Sequence, residues 1–388
     1  MQTYKLRSFQ KFITTPFNEI LIEFLNEFGN NLRIHENFQK HYELHFLSLW
    51  CSRKNIFKIR SNFPIKFGSV GRGIVFHISP KNLPLNFFYS FTLSLLAGNS
   101  NIIKLPNGNF KETNIVLDTL KKTLKKKKYS KIKSSNLFFN CNHEDQIIKD
   151  ISLICDARMI WGGDKSVGFY KKLPTHIKCI DLTFPDKYSI SVIDLKSFKK
   201  LDLHEKKNLA KKFFLDTMLT DQNACNSPHS LVWVGKKNSK VIKLFWSILG
   251  KIINEKYSLD EIGAIDKFNK LAALLIKNKN LKNIYNESNK LIVIDANKIN
   301  NLENLRGING LFFSTNISKL QELKKIITQK YQTITVFGFD NKKIFDVINY
   351  NNLSGVDRVV EIGRALEFNH VWDGYNIIDN LSRKINFE

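Results

Sequence analysis

The sequence predicts an α/β protein built on parallel β-sheet. Short apolar runs alternate with amphipathic stretches from residue 74 to residue 337, a pattern typical of strands joined by crossover helices. Residues 1–60 are instead predicted to be helical, with apolar residues at helical spacing from Phe17 to Phe28 and Gly29 as the expected helix end. No internal repeat or low-complexity linker is present, so topology alone puts a domain boundary near residue 200.

The predicted elements follow one another closely along the chain. Residues 38–50 are periodic enough for a second helix, and the apolar run 74–78 is a short buried strand. Pro80 and Pro84 exclude regular structure from residues 79–84, which therefore form a turn. The further predicted elements are helix 86–96, strand 101–105, helix 110–124, strand 136–140, helix 145–151, strand 159–160, strand 190–193, helix 203–220 and strand 231–234.

Composition limits the class of protein. The chain has 388 residues, 43% of them hydrophobic and 24% charged, which allows two or three domains and excludes a wholly disordered chain. No apolar run reaches the roughly 18 residues of a membrane-spanning helix. Lys5 and Arg7 precede Phe9, but Gln10 and Lys11 interrupt the apolar region at once, so we expect no signal peptide.

The cysteines indicate a reducing compartment. Their number is odd, their spacings are wide and no CxxC pair occurs, so neither a disulfide framework nor a structural zinc site is expected. We therefore predict a cytoplasmic protein without a bound metal. The five cysteines are Cys51, Cys141, Cys155, Cys179 and Cys225.

The formal net charge of +25 comes from 60 basic and 35 acidic residues. It allows an acidic partner, such as a carrier protein, an anionic lipid surface or nucleic acid. Coding bias is the alternative, because Lys, Asn, Ile and Phe are all used heavily and most basic residues are scattered. The Lys-rich stretch 104–133 includes an unbroken run from Lys125 to Lys128 but only Tyr129 as a neighbouring aromatic, so it is a poor platform for single-stranded nucleic acid.

Three places could carry chemistry. Cys225 lies in a small-residue turn between a predicted helix and a strand, where it is either a nucleophile, with His229 as a neighbour that could assist it, or a structural thiol. Asn82 follows a strand within a Pro-flanked turn and could either stabilise an oxyanion or cap the turn. Gly162 and Gly163 follow another strand and could approach a phosphate, although paired glycines are common in turns. Neither GxGxxG nor GxxxxGK[ST] occurs.

Taken in order, these motifs resemble the acyl-CoA reductases of the LuxC type, which belong to the aldehyde dehydrogenase superfamily. The similarity runs from about residue 40 to the end, and six motifs in register carry it. They are GRGIVFHISPKNLP at 71–84, LLAGNSNIIKLP at 95–106, WGGDK at 161–165, DQNACNSP at 221–228, YQT at 331–333 and GVDRVVEIGRALEF at 355–368, with VWDGY at 371–375 as a further match.

The resemblance implies roles for six residues. Cys225 would attack an acyl thioester and hold the acyl group, with Asn82 and the Cys225 backbone N–H as oxyanion donors. A nicotinamide cofactor would be bound through Ser79, through Lys104 at the adenosine ribose, and through Gly162 and Gly163 over the pyrophosphate. The implied fold is aldehyde-dehydrogenase-like: a three-layer cofactor domain over residues 1–200, to which segment 356–388 could return, and an α/β catalytic domain over residues 201–355. The resemblance places the active site between the two domains.

Two details of the motifs bear on direction and cofactor. Oxidising members of the superfamily carry a Glu that activates a hydrolytic water, whereas the corresponding stretch here, residues 183–187, has none. A missing base disfavours hydrolysis and suits a thioester reductase. Asn107 stands where NAD-preferring relatives often carry an acid, which favours NADPH over NADH. The Glu that commonly holds the nicotinamide ribose has no clear counterpart; Gln332 is nearby.

The predicted function is reduction of an acyl-CoA or an acyl-carrier protein to an aldehyde through a cysteine acyl-enzyme. The sequence does not determine the identity of the acyl group, since a long-chain fatty acyl group and a short functionalised one are equally compatible with it. The alternatives are an oxidative aldehyde dehydrogenase and a non-catalytic subunit of a multienzyme complex. We expect a homo-oligomer, with an acyl-transferring enzyme as a further partner and no nucleic acid.

Overall fold

The computed structural model describes residues 8–63, 68–278, 281–296 and 301–388. Lys5 and Arg7, which entered the signal-peptide prediction, lie outside them. The chain divides into two compact units: Met1–Pro185 together with Phe368–Glu388 is unit 1, and Asp186–Glu367 is unit 2. The division falls after Pro185 rather than near residue 200, because the strand Tyr188–Asp194 pairs with strands of the second sheet.

The secondary structure alternates as the sequence predicts over most of the chain. The strands are β1 (Ser69–Gly71), β2 (Ile74–Ile78), β3 (Ser100–Lys104), β4 (Asn136–Phe139), β5 (Ala157–Trp161), β6 (Ile180–Phe184), β7 (Tyr188–Asp194), β8 (Ser230–Val234), β9 (Lys282–Ser288), β10 (Leu291–Asp295), β11 (Leu311–Ile317), β12 (Tyr331–Phe337), β13 (Arg358–Glu361), β14 (Val371–Trp372), β15 (Tyr375–Asn376) and β16 (Ser382–Lys384). The α-helices are α1 (Glu19–Arg33), α2 (Tyr42–Trp50), α3 (Arg53–Ser61), α4 (Asn86–Leu96), α5 (Lys111–Thr123), α6 (Ser130–Ser134), α7 (Gln146–Ile154), α8 (Asp164–Lys171), α9 (Leu195–Lys200), α10 (Leu203–Thr217), α11 (Ser239–Lys256), α12 (Glu261–Lys277), α13 (Asn341–Tyr350) and α14 (Ile377–Asn380). Short 3₁₀ helices lie at Phe38–Lys40, Lys127–Tyr129, Met218–Thr220, Leu302–Asn304 and Leu320–Lys325. Within the described ranges, no helix is both long and apolar enough to cross a bilayer.

Unit 1 is built on a five-stranded sheet in the order β4-β3-β2-β5-β6. Every pair in it is parallel. In the central strand β2, Ile78 lies opposite Lys104 of β3 on one side and Ile160 of β5 on the other. The carboxyl ends of these three strands therefore meet at one edge, which is where open parallel sheets bind ligands.

Helices α1 to α3 pack together in unit 1, and one expectation about them is wrong. Gly29 does not end the first helix, which continues to Arg33. A Cβ at Gly29 would lie 3.0 Å from the Ser48 carbonyl oxygen and 3.2 Å from the Cys51 Cβ. Gly29 is therefore the point where α1 approaches α2 closely, which is a packing role rather than a stop signal.

The C-terminal segment from Phe368 belongs to unit 1. Strand β16 pairs antiparallel with β1, and β14 and β15 form a short hairpin. The Arg72 guanidinium donates to the carbonyl oxygens of Asn380 and Ser382 at 3.0 and 3.2 Å. Arg72 of the 71–84 motif thus secures the last strand of the chain.

Unit 2 is built on a seven-stranded sheet in the order β13-β12-β7-β8-β11-β10-β9. All neighbours are parallel except the edge pair β9 and β10, which is antiparallel. Apolar clusters cover both faces, one around Val192, Val232 and Phe313 and the other around Ile193, Trp233 and Phe312. Burial of both faces explains why these strands appear in the sequence as continuous apolar runs.

Candidate functional site

In unit 1, the sequence-predicted cofactor residues lie at the carboxyl edge of the sheet. Ser79 follows β2, Lys104 ends β3 and Gly162 follows β5. The Ser79 backbone N–H donates to the Lys104 carbonyl oxygen at 3.3 Å, so the first two are direct neighbours. The parallel register thus brings together residues that are up to 83 positions apart in sequence.

Two polar groups at this edge are poorly satisfied by the unit itself. The Ser79 Oγ is buried and has no hydrogen-bond partner among the residues that the structure describes. The Lys104 side chain is only 2% exposed, and its Nζ lies 3.5 Å from the Asn107 Oδ1, which is a weak contact. Burial lowers the pKa of Lys104, while the nearby charges of Cys141 and Asp145 raise it. A buried hydroxyl and a buried ammonium group fit a ligand that carries hydroxyl or phosphate oxygens.

The glycine pair lies at the start of helix α8. Gly163 is the N-cap residue of that helix, and a Cβ built on it would contact nothing within 4 Å. A Cβ at Gly162 would instead approach Ser166 at 3.2 Å. The backbone N–H groups at a helix start favour an anion, and the open space at Gly163 allows one to approach. This edge therefore fits a phosphate-bearing ligand.

Asn82 lies three residues beyond Ser79, in the turn that joins β2 to α4. Its side chain is exposed. The turn prediction for residues 79–84 is confirmed, since α4 begins at Asn86. An amide on this turn is accessible at the same edge as Ser79, and its oxyanion role stays a prediction.

In unit 2, the segment that carries Cys225 begins with strained backbone. Asp221 and Gln222 are consecutive non-glycine residues in the left-handed region, with φ values of 50° and 60°. Gln222 is fully buried, and its side chain accepts from the Gly310 N–H at 2.9 Å and donates to the Leu311 carbonyl oxygen at 3.2 Å. Such strain persists only where the surroundings impose it, and it is frequent at active sites.

Cys225 is the partly exposed member of a buried run. Ala224 and Asn226 on either side are 3% and 5% exposed, whereas Cys225 is intermediate. Its carbonyl oxygen accepts from the Ser189 Oγ at 2.7 Å, which secures the backbone at the thiol. Accessibility on a fixed backbone is what a nucleophilic thiol needs.

The other four cysteines differ from Cys225. Cys51, Cys141 and Cys155 are buried, and Cys179 is half-buried with its Sγ 3.9 Å from the Cys155 Sγ. Burial raises the pKa of Cys141 to about 11 and that of Cys51 well above its ordinary value. Buried thiols that resist ionisation, such as Cys51 and Cys141, suit core packing better than nucleophilic chemistry.

A hydrogen-bond network links the cysteine segment to the 355–368 motif. The buried Asp216 carboxylate accepts from the Gly363 and Ala365 backbone N–H groups at 2.6 and 2.8 Å. The Ala365 carbonyl oxygen in turn accepts from the Asn226 side chain and from the Arg358 guanidinium, each at 2.5 Å. One carbonyl therefore joins the residue after Cys225 to Arg358.

Arg358 is a functional candidate to which the sequence analysis assigned no role. Burial lowers the pKa of Arg358, while the charges of Glu367, Asp216 and Cys225 raise it. The structural link to the cysteine segment is the Ala365 carbonyl oxygen, which accepts from both Arg358 and Asn226. Burial likewise raises the pKa of Asp216 to about 7, although the two backbone N–H groups oppose this. A cation beside a thiol favours the thiolate. The only signal in the sequence was the position of Arg358 within a family motif.

The structure gives His229 a place in the core of unit 2. Its side chain is 1% exposed, it stacks on Tyr188, and its Nδ1 lies 3.0 Å from the Gly307 carbonyl oxygen. Burial and the charge of Arg306 lower the pKa of His229 to about 3. A neutral ring with one nitrogen held by a carbonyl is better suited to packing than to assisting a thiol.

The remaining motif residues are engaged within their own units. Asp186, in the stretch where oxidising relatives carry a Glu, forms an ion pair with Arg306. In the same stretch the Phe184 ring stacks on Trp161 with centroids 3.7 Å apart. Gln332 on β12 is 2% exposed. Within the described part of the chain, no group of His, Cys, Asp and Glu side chains is arranged to hold a metal.

The fold is similar to that of solved aldehyde dehydrogenases. The substrate-bound Staphylococcus aureus AldH is 14% identical, with 94% of this chain and 88% of that chain covered at a TM-score of 0.62. Succinic semialdehyde dehydrogenase from Streptococcus pyogenes in complex with NADP+ is 12% identical, with 88% and 82% covered at 0.58. A bifunctional proline utilization A protein is 13% identical at a TM-score of 0.64, and the match covers 91% of this chain but spans only 39% of that longer one. The predicted aldehyde-dehydrogenase-like fold is confirmed.

No curated protein matches the sequence. The family model for acyl-CoA reductase (LuxC) matches residues 66–384, which is well over half of the chain and includes every motif that carried the resemblance. That range includes the candidate residues at the strand ends of unit 1 and the segment 221–228 that carries Cys225 in unit 2. The chain therefore belongs to the LuxC acyl-CoA reductase family.

Proposed function

We propose that the protein reduces an acyl thioester to an aldehyde through an acyl-enzyme on Cys225. The observation that carries this proposal is the environment of Cys225. Its thiol is partly exposed on a strained, hydrogen-bonded segment, and the chain belongs to an acyl-CoA reductase family. A structural cysteine would need neither this exposure nor a backbone held by the Ser189 hydrogen bond.

In the first step, the Cys225 thiolate attacks the carbonyl carbon of the acyl thioester, and the CoA or carrier thiolate leaves. Arg358 is proposed to support this step because its half-buried positive charge favours the thiolate over the neutral thiol. Asn82 is proposed as an oxyanion donor on the basis of its family motif, together with the Cys225 backbone N–H. One such donor stabilises the transition state by about 3 kcal/mol.

The cofactor residues are proposed at the carboxyl edge of the unit 1 sheet. Ser79 and Lys104 would hold ribose or phosphate oxygens, and the N–H groups at Gly163 and the start of α8 would face a phosphate. When bound there, a nicotinamide cofactor supplies the hydride that reduces the acyl group to the aldehyde. Asn107, which contacts Lys104, adds no negative charge, so we propose NADPH as the preferred cofactor and NADH as the weaker one.

Release of an aldehyde rather than an acid requires that water does not cleave the acyl-enzyme. The stretch that would carry the water-activating base has Asp186, whose carboxylate is already paired with Arg306. His229 is buried and neutral, with its Nδ1 held by Gly307. Both observations support the reductive direction over an oxidative aldehyde dehydrogenase.

The thioester donor is proposed to be an acyl-CoA or an acyl-carrier protein, supplied where needed by an acyl-transferring enzyme. Eight lysines between Lys121 and Lys133 are exposed. Lys126 and Lys128 form ion pairs with Glu23 and Glu27 of α1, so part of this charge holds unit 1 together. The remaining lysines give a basic surface suited to the phosphates of CoA or to an acidic carrier.

The test is to mix the purified protein with NADPH or NADH and a panel of acyl-CoAs of different chain length, while nicotinamide absorbance is followed. We expect oxidation of NADPH with at least one chain length, and loss of at least a thousandfold in rate for Cys225→Ala. The matched control is Cys179→Ala, which removes the other partly exposed thiol and should leave the rate unchanged.

An acyl group trapped on Cys225 from radiolabelled acyl-CoA would support the covalent step independently of the cofactor. Activity that survives in Cys225→Ala would overturn the proposal. If every acyl-CoA is inactive, the same panel loaded on carrier protein separates a different donor from an inactive chain.

A further inference from the structure

Helix α2 (Tyr42–Trp50) exposes an apolar stripe on unit 1. Three large side chains on it are exposed: Tyr42 (72%), Leu49 (58%) and Phe46 (50%). They stand at positions i, i+7 and i+4, and at 100° per residue they lie within about 60° of one another. This spacing makes one continuous stripe along the helix rather than a set of scattered surface residues.

The opposite side of α2 already holds the helix on unit 1. Leu44, Leu47 and Trp50 are buried there. The Trp50 indole N–H donates to the Thr92 Oγ1 of α4 at 2.7 Å, and helix α1 approaches α2 closely at Gly29. The exposed stripe is therefore not needed to fix α2 in place, and a different role must account for it.

Cations stand at both ends of the stripe. Lys40 comes shortly before α2, and helix α3 begins with Arg53 and Lys54 directly after the two residues that follow α2. Over residues 33–61 the chain has six basic and only two acidic side chains. The stripe is thus surrounded in sequence by a clear excess of positive charge.

Helix α3 itself combines cations with an exposed aromatic ring. It carries four basic side chains and no acidic one. Its Phe57 is 40% exposed, and the guanidinium carbons of Arg53 and Arg60 lie 5.3 and 5.8 Å from the ring centroid. A basic amphipathic helix of this kind is typical of a surface that meets anionic lipid.

The carboxylates of the neighbouring helix α1 do not cancel this charge. All three of them, Glu19, Glu23 and Glu27, are already in ion pairs, with Arg53, Lys128 and Lys126 respectively. Lys54 and Lys58 of α3 are exposed, and no carboxylate among the described residues pairs with either of them. Their charge is therefore available to an anionic partner.

The combination of stripe and cations fits a bilayer better than the other anionic partners. Nucleic acid would neutralise the cations but leave the apolar stripe in water. An acidic protein would need a complementary apolar groove to cover a convex helix. A bilayer deforms around such a helix, takes up Tyr and Phe at its interface and attracts cations to its anionic headgroups.

We propose that α2 is a membrane-binding helix that lies in the interface of a bilayer containing anionic lipid, while the lysines of α3 contact the headgroups. Tyr42, Phe46 and Leu49 enter the boundary between headgroups and acyl chains. Three side chains bury little apolar area, so the binding is peripheral and reversible. This inference is independent of the proposed reaction.

The first test measures binding to vesicles by flotation. We expect binding to phosphatidylcholine vesicles that contain about 30% phosphatidylglycerol, weaker binding at high salt, and much less binding to phosphatidylcholine alone. Phe46→Glu/Leu49→Glu should weaken binding at least a hundredfold, because the stripe loses apolar contact and gains two charges. The matched control is Phe345→Glu/Tyr350→Glu on α13, which changes the net charge equally at two exposed aromatic residues of unit 2.

The contribution of the cations is tested separately. Lys54→Gln/Lys58→Gln should weaken binding about tenfold to thirtyfold, the range for two lysines at an anionic surface. Lys342→Gln/Lys343→Gln, which removes two exposed lysines of α13, should leave binding within about twofold. Circular dichroism of each variant establishes that it is folded.

A second measurement reports insertion rather than adsorption. In a Cys179→Ala/Cys225→Ala background, Leu49→Cys carrying an environment-sensitive fluorophore should shift to the blue with anionic vesicles and be quenched by spin-labelled lipid. The same label at Phe345→Cys should show neither effect.

Two results would overturn the inference. Equal binding by the α2 and α13 variants, with no blue shift at position 49, would mean that the net charge of +25 adsorbs the protein without a specific surface. Absence of binding to every vesicle would leave the stripe to a protein partner.

Discussion

The two units offer their candidate residues at opposite ends of their parallel strands. In unit 1, Ser79, Lys104 and Gly162 lie at the carboxyl ends of β2, β3 and β5. In unit 2, Cys225 precedes β8 and Arg358 begins β13, so both lie at the amino ends of strands. The same class of sheet therefore has its candidate residues at different strand ends in the two units of one chain.

This difference shows which of the two units follows the general rule for ligand binding by parallel sheets. That rule places ligands at the carboxyl ends of strands, where helix N-termini supply a positive field, and it describes unit 1. At the carboxyl ends of β12 and β13 in unit 2 there is instead a cavity of about 660 Å³ lined by Phe337, Asp340 and Glu361, away from the thiol. The cysteine segment depends on hydrogen bonds between loops rather than on a helix start.

Among the residues proposed to support Cys225 and the cofactor, the largest effect is expected from Asn82, the proposed oxyanion donor of unit 1. Asn82→Ala should lower kcat by about a hundredfold to a thousandfold, because a donor that acts on the transition state is lost. The substrate KM should change little. Steady-state kinetics with the best acyl-CoA measures both, and Lys81→Ala in the same exposed turn is the control. An unchanged kcat would return Asn82 to the role of a turn residue.

A smaller effect is expected from Arg358. It tests whether the hydrogen-bonded loops of unit 2 support the reactivity of Cys225. Arg358→Met should slow alkylation of Cys225 by iodoacetamide at pH 7 about tenfold, because the thiolate loses a neighbouring cation. Arg364→Met is the control, since that guanidinium is exposed and paired with Glu367. Mass spectrometry of the Cys225 peptide gives the rates directly.

The pH profile of alkylation separates an electrostatic role from a structural one. If Arg358 acts through its charge, Arg358→Lys should retain more of the reactivity than Arg358→Met. If it acts only by holding the Ala365 carbonyl oxygen, both variants should show altered hydrogen exchange around residue 365 and the same pH midpoint. The second result would remove Arg358 from the proposed chemistry.

An effect on cofactor binding is expected from Lys104, which tests whether the carboxyl edge of the unit 1 sheet binds the nicotinamide cofactor. Lys104→Met should raise the KM for the nicotinamide cofactor about tenfold to a hundredfold, the range for loss of one charged hydrogen bond. The kcat should stay within about twofold, because Lys104 is proposed to bind rather than to react. Lys149→Met on the exposed side of α7 is the control. Equal cofactor KM values in the two variants would exclude Lys104 from the site.

Much of unit 1 was predictable because local signals and topology agree there. The apolar run 74–78, the two prolines and the glycine pair each determine a strand or its end. Gly29 is the exception, since a glycine inside a helix can mark either a stop or a close approach. Only the contact with Ser48 distinguishes the two roles.

The cysteine segment of unit 2 was predictable only in part. The small residues at 221–228 indicated a turn, but the support of that turn comes from Asp216, Arg358 and Ala365. Asp216 and Ala365 are 149 positions apart, and no periodicity connects them. Hydrogen bonds between distant loops leave no pattern in one sequence, so the contacts of Arg358 are seen only in the structure.

The smallest effect concerns the two most deeply buried histidines, His77 in unit 1 and His229 in unit 2. His77 lies in β2, with its ring nitrogens 2.7 Å from the Ser90 Oγ and 2.9 Å from the Asn101 Oδ1. Burial lowers the pKa of His77 to about 4, although the Asn101 hydrogen bond opposes this. The folded value lies below the unfolded value of about 6.5. The stability that His77 contributes is therefore complete above pH 6.5 and is lost as the pH falls toward 4.

Between pH 7 and pH 5, this linkage should reduce the free energy of unfolding by about 2 kcal/mol. His77→Gln should remove that part of the pH dependence, while the exposed His204→Gln should leave it unchanged. Urea unfolding at both pH values measures the total, and hydrogen exchange in β2 and β8 reports the two units separately. Loss of protection in β2 on acidification, abolished by His77→Gln but not by His229→Gln, would assign the effect to unit 1. An equal response of both strands to either substitution would instead mean that the two sheets open as one cooperative unit.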